Sequence, residues 1–169
     1  MAPKTNQIIY WTLFIHENWH MYIAATSTGL CFVGSQHQTL EELTTWTKKR
    51  FLKHTFVQDP LKLQPYIQEL AEYLDKKREV FTCPIDVHGT PFQLAVWDTL
   101  RKIPYGKTYS YSDIAQLIQK PKAVRAIGAN PLLITIPCHR VIGKNGKLSG
   151  FRGGLAMKKE LLTLEKIVL

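Results

Sequence analysis

Cys138 is followed directly by His139 and Arg140 and is preceded by the apolar run Leu132-Leu133-Ile134-Thr135-Ile136-Pro137. A cysteine delivered by such a run is presented by a rigid element. As a thiolate it is a strong nucleophile, but near neutral pH it needs a base or a cationic neighbour to form. Adjacent residues of an extended chain point to opposite sides. His139 is therefore not expected to take the Cys138 proton by direct contact, and a bridging water would solve that geometry. Taken alone, a Cys-His pair also fits a packed cysteine beside an unrelated histidine. A Cys-His hydrolase would need a glycine-rich oxyanion loop as well, and none accompanies Cys138.

The elements that must position this segment are legible from capping and periodicity. Thr90, with Pro91 at the first helical position and Gln93 three residues on, predicts a helix burying Phe92, Val96, Leu100 and Ile103 and ending at Tyr105-Gly106. Ser110 caps a second helix carrying Ile114, Leu117 and Ile118. Pro121 opens a third with Val124 and Ile127, stopped by Asn130-Pro131. The last two make a helix-turn-helix candidate. Arg125 falls in the third helix beside Ala123, Ala126, Gly128 and Ala129. Such a thin helix suits close approach to a partner, or equally tight packing against its own neighbours.

The first half reads as a small α+β unit. Ile8–His16, His20–Thr26 and Leu30–Val33 are rich in aromatic and β-branched residues and predict an antiparallel meander. Thr39 with Glu42 has capping-box spacing for a helix to about Leu52, Pro65 could start another with Ile67, Leu70 and Leu74, and Val80–Val87 predicts a returning strand. His88-Gly89 breaks the chain into residues 1–88 and 89–169.

Charge divides at the same place. Up to residue 89 there are nine Lys or Arg against nine Asp or Glu; from Thr90 onward there are thirteen against four. The whole net charge of +9 therefore sits in the second half. That suggests a polyanion partner, although a solubilising excess reads the same way. Composition is that of a globular chain, with 45% hydrophobic and 21% charged residues. Met1–Asn6 holds no apolar core and no apolar run is long enough to cross a bilayer, so a cytoplasmic location is expected. Cys31, Cys83 and Cys138 are odd in number and widely spaced, which argues against a disulfide framework or ordinary zinc motif.

Cys138-His139-Arg140-Val141-Ile142-Gly143, followed by Leu148-Ser149-Gly150-Phe151-Arg152-Gly153-Gly154 and a helix with Leu161, Leu162 and Glu165, resembles the O6-alkylguanine-DNA alkyltransferase family. The likeness extends to Pro104-Tyr105-Gly106, Ser110-Tyr111 and Pro121-Lys122-Ala123-Val124-Arg125-Ala126, covering residues 90–169 densely and the first half in outline. It implies an α+β fold, with a small antiparallel-sheet, RNase H-like domain and then a mostly helical, winged helix-turn-helix-like domain. It also implies repair of double-stranded DNA by a monomer without cofactor or metal, the alkyl group passing irreversibly from O6 of guanine to Cys138, with O4 of thymine as a second candidate donor.

The resemblance assigns roles too. His139 draws the Cys138 proton through a water and is oriented by Glu165. Tyr111 donates toward N3 of the flipped guanine, the carbonyls of Cys138 and Val141 accept from its amino group, and the Arg152 N–H approaches O6. Arg125 fills the vacated space, and Ala123, Ala126 and Gly128 let the helix enter the minor groove. Asn130 joins that helix to the active-site segment, while Leu133 and Ser149 border the pocket. Residue by residue, Tyr111 also reads as a core aromatic, and Glu165 as a surface partner of Lys158 or Lys166.

Two departures from the family stand out. Between Arg125 and Asn130 the chain is about four residues short, close to one helical turn. In the first half, Cys31, Cys83, His16, His20, His37 and His88 match no zinc arrangement and read as buried thiols and ordinary histidines. A lesion binder without transfer activity and a sequence-specific regulator are the other function classes; the acceptor cysteine argues against the first, and neither the regulator nor a Cys-His hydrolase explains Tyr111 and Glu165 together.

Overall fold

The computed structural model describes residues 6–119, 123–148 and 150–167, and the chain divides into two compact units at the His88–Gly89 junction. In the first, strands β1 (Gln7–His16), β2 (Trp19–Ala25) and β3 (Leu30–Val33) form the antiparallel meander, and β4 (His54–Gln58) joins parallel to β1, giving the order β3-β2-β1-β4. Helix α1 (Leu40–Arg50) covers the sheet face bearing Ile9, Ala24 and Phe32, with Leu43 fully buried among them. Helix α2 (Pro60–Leu74) takes the opposite face, where Lys62 lies over the Tyr10 ring.

Several local expectations give way to competing partners. Thr39 does precede α1, but no capping box forms, because the Glu42 carboxylate instead accepts from the Ser35 N–H at 2.8 Å and from the Ser35 hydroxyl. Pro65 lies inside α2 rather than at its start. The stronger start is five residues earlier, where the Asp59 side chain accepts from the Lys62 N–H and Pro60 takes the first position. Val80–Val87 is not a strand beyond one bridge between Leu30 and Ile85. Its donors are taken elsewhere: the Glu69 carboxylate accepts from the N–H groups of Thr82 and Cys83 at 2.9 and 3.0 Å, and Pro84 has none to give. β4 has only Phe56 and Val57 as apolar residues, so tertiary pairing against Ile9 and Tyr10 decides it.

In the second unit α3 (Pro91–Leu100) begins with a complete capping box: the Thr90 hydroxyl accepts from the Gln93 N–H at 3.1 Å, and the Gln93 side chain accepts from the Thr90 N–H at 3.0 Å. Val96, Trp97, Leu100 and Ile103 are buried, whereas Phe92 stays half-buried. The two-residue β5 (Tyr109–Ser110) runs straight into α4 (Tyr111–Ile118), capped by Ser110 and Asp113. Ile114 is buried, but Leu117 is exposed, against expectation, and borders a surface groove with Tyr109 and Gln116.

Helix α5 (Ala123–Gly128) packs on α3 and α4; the proposed opening at Pro121 lies outside the described residues. Ala123, Ala126 and Ile127 face inward, and the buried Trp97 indole donates to the Ala126 carbonyl at 2.8 Å. The small size of Ala123 and Ala126 lets α5 sit against α3, and Ala126 also borders the groove that Arg125 lines. Val124, expected in the core, is half exposed.

Cys138–Arg140 forms one turn of 3-10 helix, then β6 (Val141–Ile142) pairs parallel to β5, and α6 (Leu155–Leu164) closes the unit. Replacing Thr90 by Ala removes the α3 cap and is expected to cost about 1 kcal/mol, read as a lower urea midpoint. An unchanged midpoint would show that the box does not hold α3.

Candidate active site

The pairing of Tyr109 with Val141 and Ser110 with Ile142 brings the first residue of α4 to the segment following Cys138. Tyr111 is half-buried there. Its hydroxyl donates to the Gly150 carbonyl at 3.1 Å, so it is not a plain core aromatic. On the other side of Cys138, Asn130 is fully buried where α5 gives way to the apolar run. Its amide donates to the carbonyls of Leu132 and Ile136 at 3.2 and 2.9 Å and to Cys138 Sγ at 3.2 Å, while its oxygen accepts from the Leu132 N–H. One side chain thus folds the run back on itself and places a donor on the thiol. Ile134, at φ +71°, lets the run double back rather than extend.

Cys138 is 4% exposed. Burial pushes its thiol up, opposed by the Asn130 hydrogen bond and by the charges of Arg152 and Lys158. The resting group is therefore a protonated thiol surrounded by features that favour the thiolate. Arg152 is anchored nearby, its guanidinium donating to the carbonyls of Asn130 and Pro131 at 2.9 and 3.2 Å. Leu133 is buried; Ser149 lies outside the described residues.

The extended geometry expected around Cys138 and His139 is replaced by the 3-10 turn, yet the two side chains share no hydrogen bond. His139 is fully buried and turns Nε2 to Glu165 Oε2 at 2.6 Å. Its Nδ1 is buried without a partner among the described residues. A carboxylate only accepts, so Nε2 carries the proton and Nδ1 presents the lone pair that a base needs. Burial lowers the His139 pKa more than Glu165 raises it, which keeps the imidazole neutral at rest.

Glu165 is no surface residue. It caps α6 at 3% exposure and also accepts from Arg140 Nε at 2.9 Å, Arg140 Nη2 at 3.0 Å and the Gly106 N–H at 3.1 Å. Arg140 in turn donates to the Ile103 carbonyl at 2.7 Å and lies 5.6 Å from the centre of the Tyr105 ring. Pro104-Tyr105-Gly106 is therefore a clamp on this ion pair, and Gly106 meets it at φ +78°, a conformation that favours glycine.

Lys158 is the residue that sequence reasoning missed. It is fully buried, donates to the Val141 carbonyl at 2.6 Å and to Tyr111 Oη at 3.4 Å, and burial pulls its pKa down to about 8. The signal was present: Lys158, Leu161, Leu162 and Glu165 follow the i, i+3, i+4, i+7 spacing of one helix face. Arg125 and Gly128 lie apart from this cluster on the exposed side of α5, where Arg125 borders a groove of about 550 Å³ with Phe92, Gln93 and Val124.

Residues 91–167 match the DNA-binding domain of 6-O-methylguanine DNA methyltransferase, and residues 9–87 match its ribonuclease-like domain. Over 168 residues the chain is 57% identical to the inducible methylated-DNA–protein-cysteine methyltransferase of Bacillus subtilis, covering 96% of this chain and 94% of that protein. The chain belongs to the 6-O-methylguanine DNA methyltransferase family. The crystal structure of the Mycobacterium tuberculosis O6-methylguanine methyltransferase superposes with a TM-score of 0.75 at 33% identity, covering 94% of this chain and 93% of that one. Mycobacterium tuberculosis OGT in complex with DNA gives the same TM-score and identity, over 94% and 92%. Among the described residues of this methyltransferase-family chain, no helix is long and apolar enough to cross a membrane.

Because burial depresses the His139 pKa below 6.5, the unfolded chain takes up a proton there before the folded one does. This contribution to stability is complete above that value and is lost as the pH falls below it, by at most about 1.4 kcal/mol per pH unit. Urea unfolding of the wild type and His139→Gln between neutral pH and pH 5 is expected to show a smaller acid loss in the variant. Equal losses would mean that His139 does not titrate as its burial requires.

Proposed function

We propose that this protein repairs double-stranded DNA by moving an alkyl group, methyl above all, from O6 of guanine to Cys138, once per molecule. The observation that carries the reading is the single array that places a donor on the Cys138 thiol and a carboxylate behind His139, in a chain of this family. His139 Nδ1 takes the thiol proton through a bridging water, and Glu165 stabilises the imidazolium that results. The thiolate attacks the alkyl carbon, an S–C bond forms, the C–O bond breaks, and its electron pair leaves with the guanine. The product is a thioether, a poor leaving group, so the protein is spent.

The target base must leave the duplex to meet a buried thiol. In the reading proposed here Tyr111 exchanges the Gly150 carbonyl for N3 of the flipped guanine and donates a proton to it. The carbonyls of Cys138 and Val141 accept from the guanine amino group, and the Arg152 N–H approaches O6. Arg125 enters the space that the base vacates, with Gly128 allowing the exposed side of α5 close to the minor groove. The basic second unit, residues 89–169, is the DNA-binding and transfer domain and residues 1–88 its structural partner. The protein works as a monomer in the cytoplasm, without cofactor or metal.

A lesion binder without transfer activity is not favoured, since Cys138 carries the Asn130 amide on its sulfur and the adjacent His139 is backed by Glu165. The test is incubation with duplex DNA labelled on an O6-methyl group, followed by intact mass and peptide mapping. One methyl group per protein, on the peptide holding Cys138, is expected, with none in Cys138→Ala. A wild-type protein that binds the duplex and leaves Cys138 unmodified contradicts the reading.

A further inference from the structure

Lys158 is an anomaly that the transfer chemistry so far leaves unused. A fully buried ammonium is costly unless its donors are satisfied, and this one is directed at two groups that the proposed function uses to read the guanine. It donates to the Val141 carbonyl at 2.6 Å and to Tyr111 Oη at 3.4 Å, and lies 5.5 Å from the centre of the Tyr111 ring. Its charge also acts on Cys138. Titratable groups facing it are Tyr111 on α4 and Cys138 and His139 on the 3-10 turn; Arg152 acts on the same Cys138, and Glu165, at the end of its own helix, binds the same His139.

Resting on the transfer function above, we propose that Lys158 is a positioning and proton-supplying residue, holding Tyr111 and the Val141 carbonyl against one edge of the flipped guanine and returning to Tyr111 the proton it gives to N3. The geometry suits this role, because N3 and the exocyclic amino group are neighbours on that edge and one ammonium spans the two protein groups that meet them. In the step itself the C–O bond breaks toward the base and N3 takes the Tyr111 hydroxyl proton. The Lys158 ammonium passes a proton to the phenolate oxygen and becomes a neutral amine, which regains a proton from solvent after the repaired base departs. That transfer runs downhill, because the Lys158 pKa, at about 8, lies below the ordinary tyrosine value of about 10. While still charged, the same ammonium favours the attacking thiolate.

The function needs an ammonium of fixed length and moderate acidity. Arginine keeps the charge but does not give up a proton in this pH range, and methionine keeps the length without charge. Both substitutions leave the Val141 carbonyl and the Tyr111 hydroxyl, two uncharged groups, to find other partners.

The test is single-turnover methyl transfer from an O6-methylguanine duplex as a function of pH, for the wild type, Lys158→Met, Lys158→Arg, Tyr111→Phe and the Lys158→Met/Tyr111→Phe double variant, with duplex affinity measured alongside. Lys158→Met is expected to slow transfer by about tenfold or more with affinity unchanged, and to abolish the fall in rate that the wild type shows as pH rises through about 8. Tyr111→Phe is expected to cost far less in the Lys158→Met background than alone, because the two act on one path. A wild-type rate and alkaline limb in Lys158→Met, or additive losses in the double variant, overturn the proposal. Should Lys158→Met not fold, Lys158→Arg decides: loss of the alkaline limb supports the proposal and its retention overturns it. A wild type that transfers no methyl at all overturns the function reading, and this inference with it.

Discussion

A single buried carboxylate ties together stretches of chain that are far apart in sequence. Glu165, at the end of α6, binds His139 and Arg140 from the active-site turn and the Gly106 N–H from the turn after α3, while Arg140 reaches back to the Ile103 carbonyl. A carboxylate cannot stay buried without such donors. The chemistry follows from the same constraint. With Nε2 committed to Glu165, only Nδ1 of His139 is left to accept a proton, and burial, helped by the Arg140 and Lys158 charges, outweighs Glu165 and keeps the imidazole neutral. The proposed base is thus oriented by a carboxylate that also fastens the C-terminal helix to the rest of its unit.

Around this anchor the thiol is held in balance. Burial favours Cys138 as the neutral thiol; Asn130, Arg152 and Lys158 favour the anion. A nucleophile kept protonated at rest is guarded against adventitious oxidation and alkylation. It becomes reactive when a base takes its proton while the charges that stabilise the anion remain in place. Asn130, two residues past the end of α5, ties that helix to the thiol by donating directly to Sγ. From Gly128 at the end of α5 the chain reaches the active-site segment within two residues, with Asn130 held on the thiol.

Much of this could be read from the residues, for reasons that differ from place to place. The cap at Thr90 and the cap at Ser110 are local chemistry and form as their spacing requires. Glu42 and Val80–Val87 go astray because a nearby side chain or carboxylate captures donors that spacing alone assigns elsewhere. Ala123 and Ala126 fit close packing and close approach alike in sequence, and their burial beside Trp97 shows the packing. Lys158 was hidden by its type: a lysine beside Lys159 and Glu160 suggests a solvated face, although its spacing from Leu161 and Leu162 places it on the inner one. The Cys138 signature carried the acceptor, but the 3-10 turn that replaces an extended segment is a tertiary outcome.

Glu165 fixes His139 as a neutral imidazole with its proton on Nε2. Nitrogen-15 NMR of the imidazole in wild-type protein at neutral pH reads this directly. A protonated Nε2 with an unprotonated Nδ1 is expected, and replacing Glu165 by Gln is expected to destroy that fixed tautomer. A charged imidazolium, or a proton resident on Nδ1 in the wild type, would show that Glu165 does not set the state of His139.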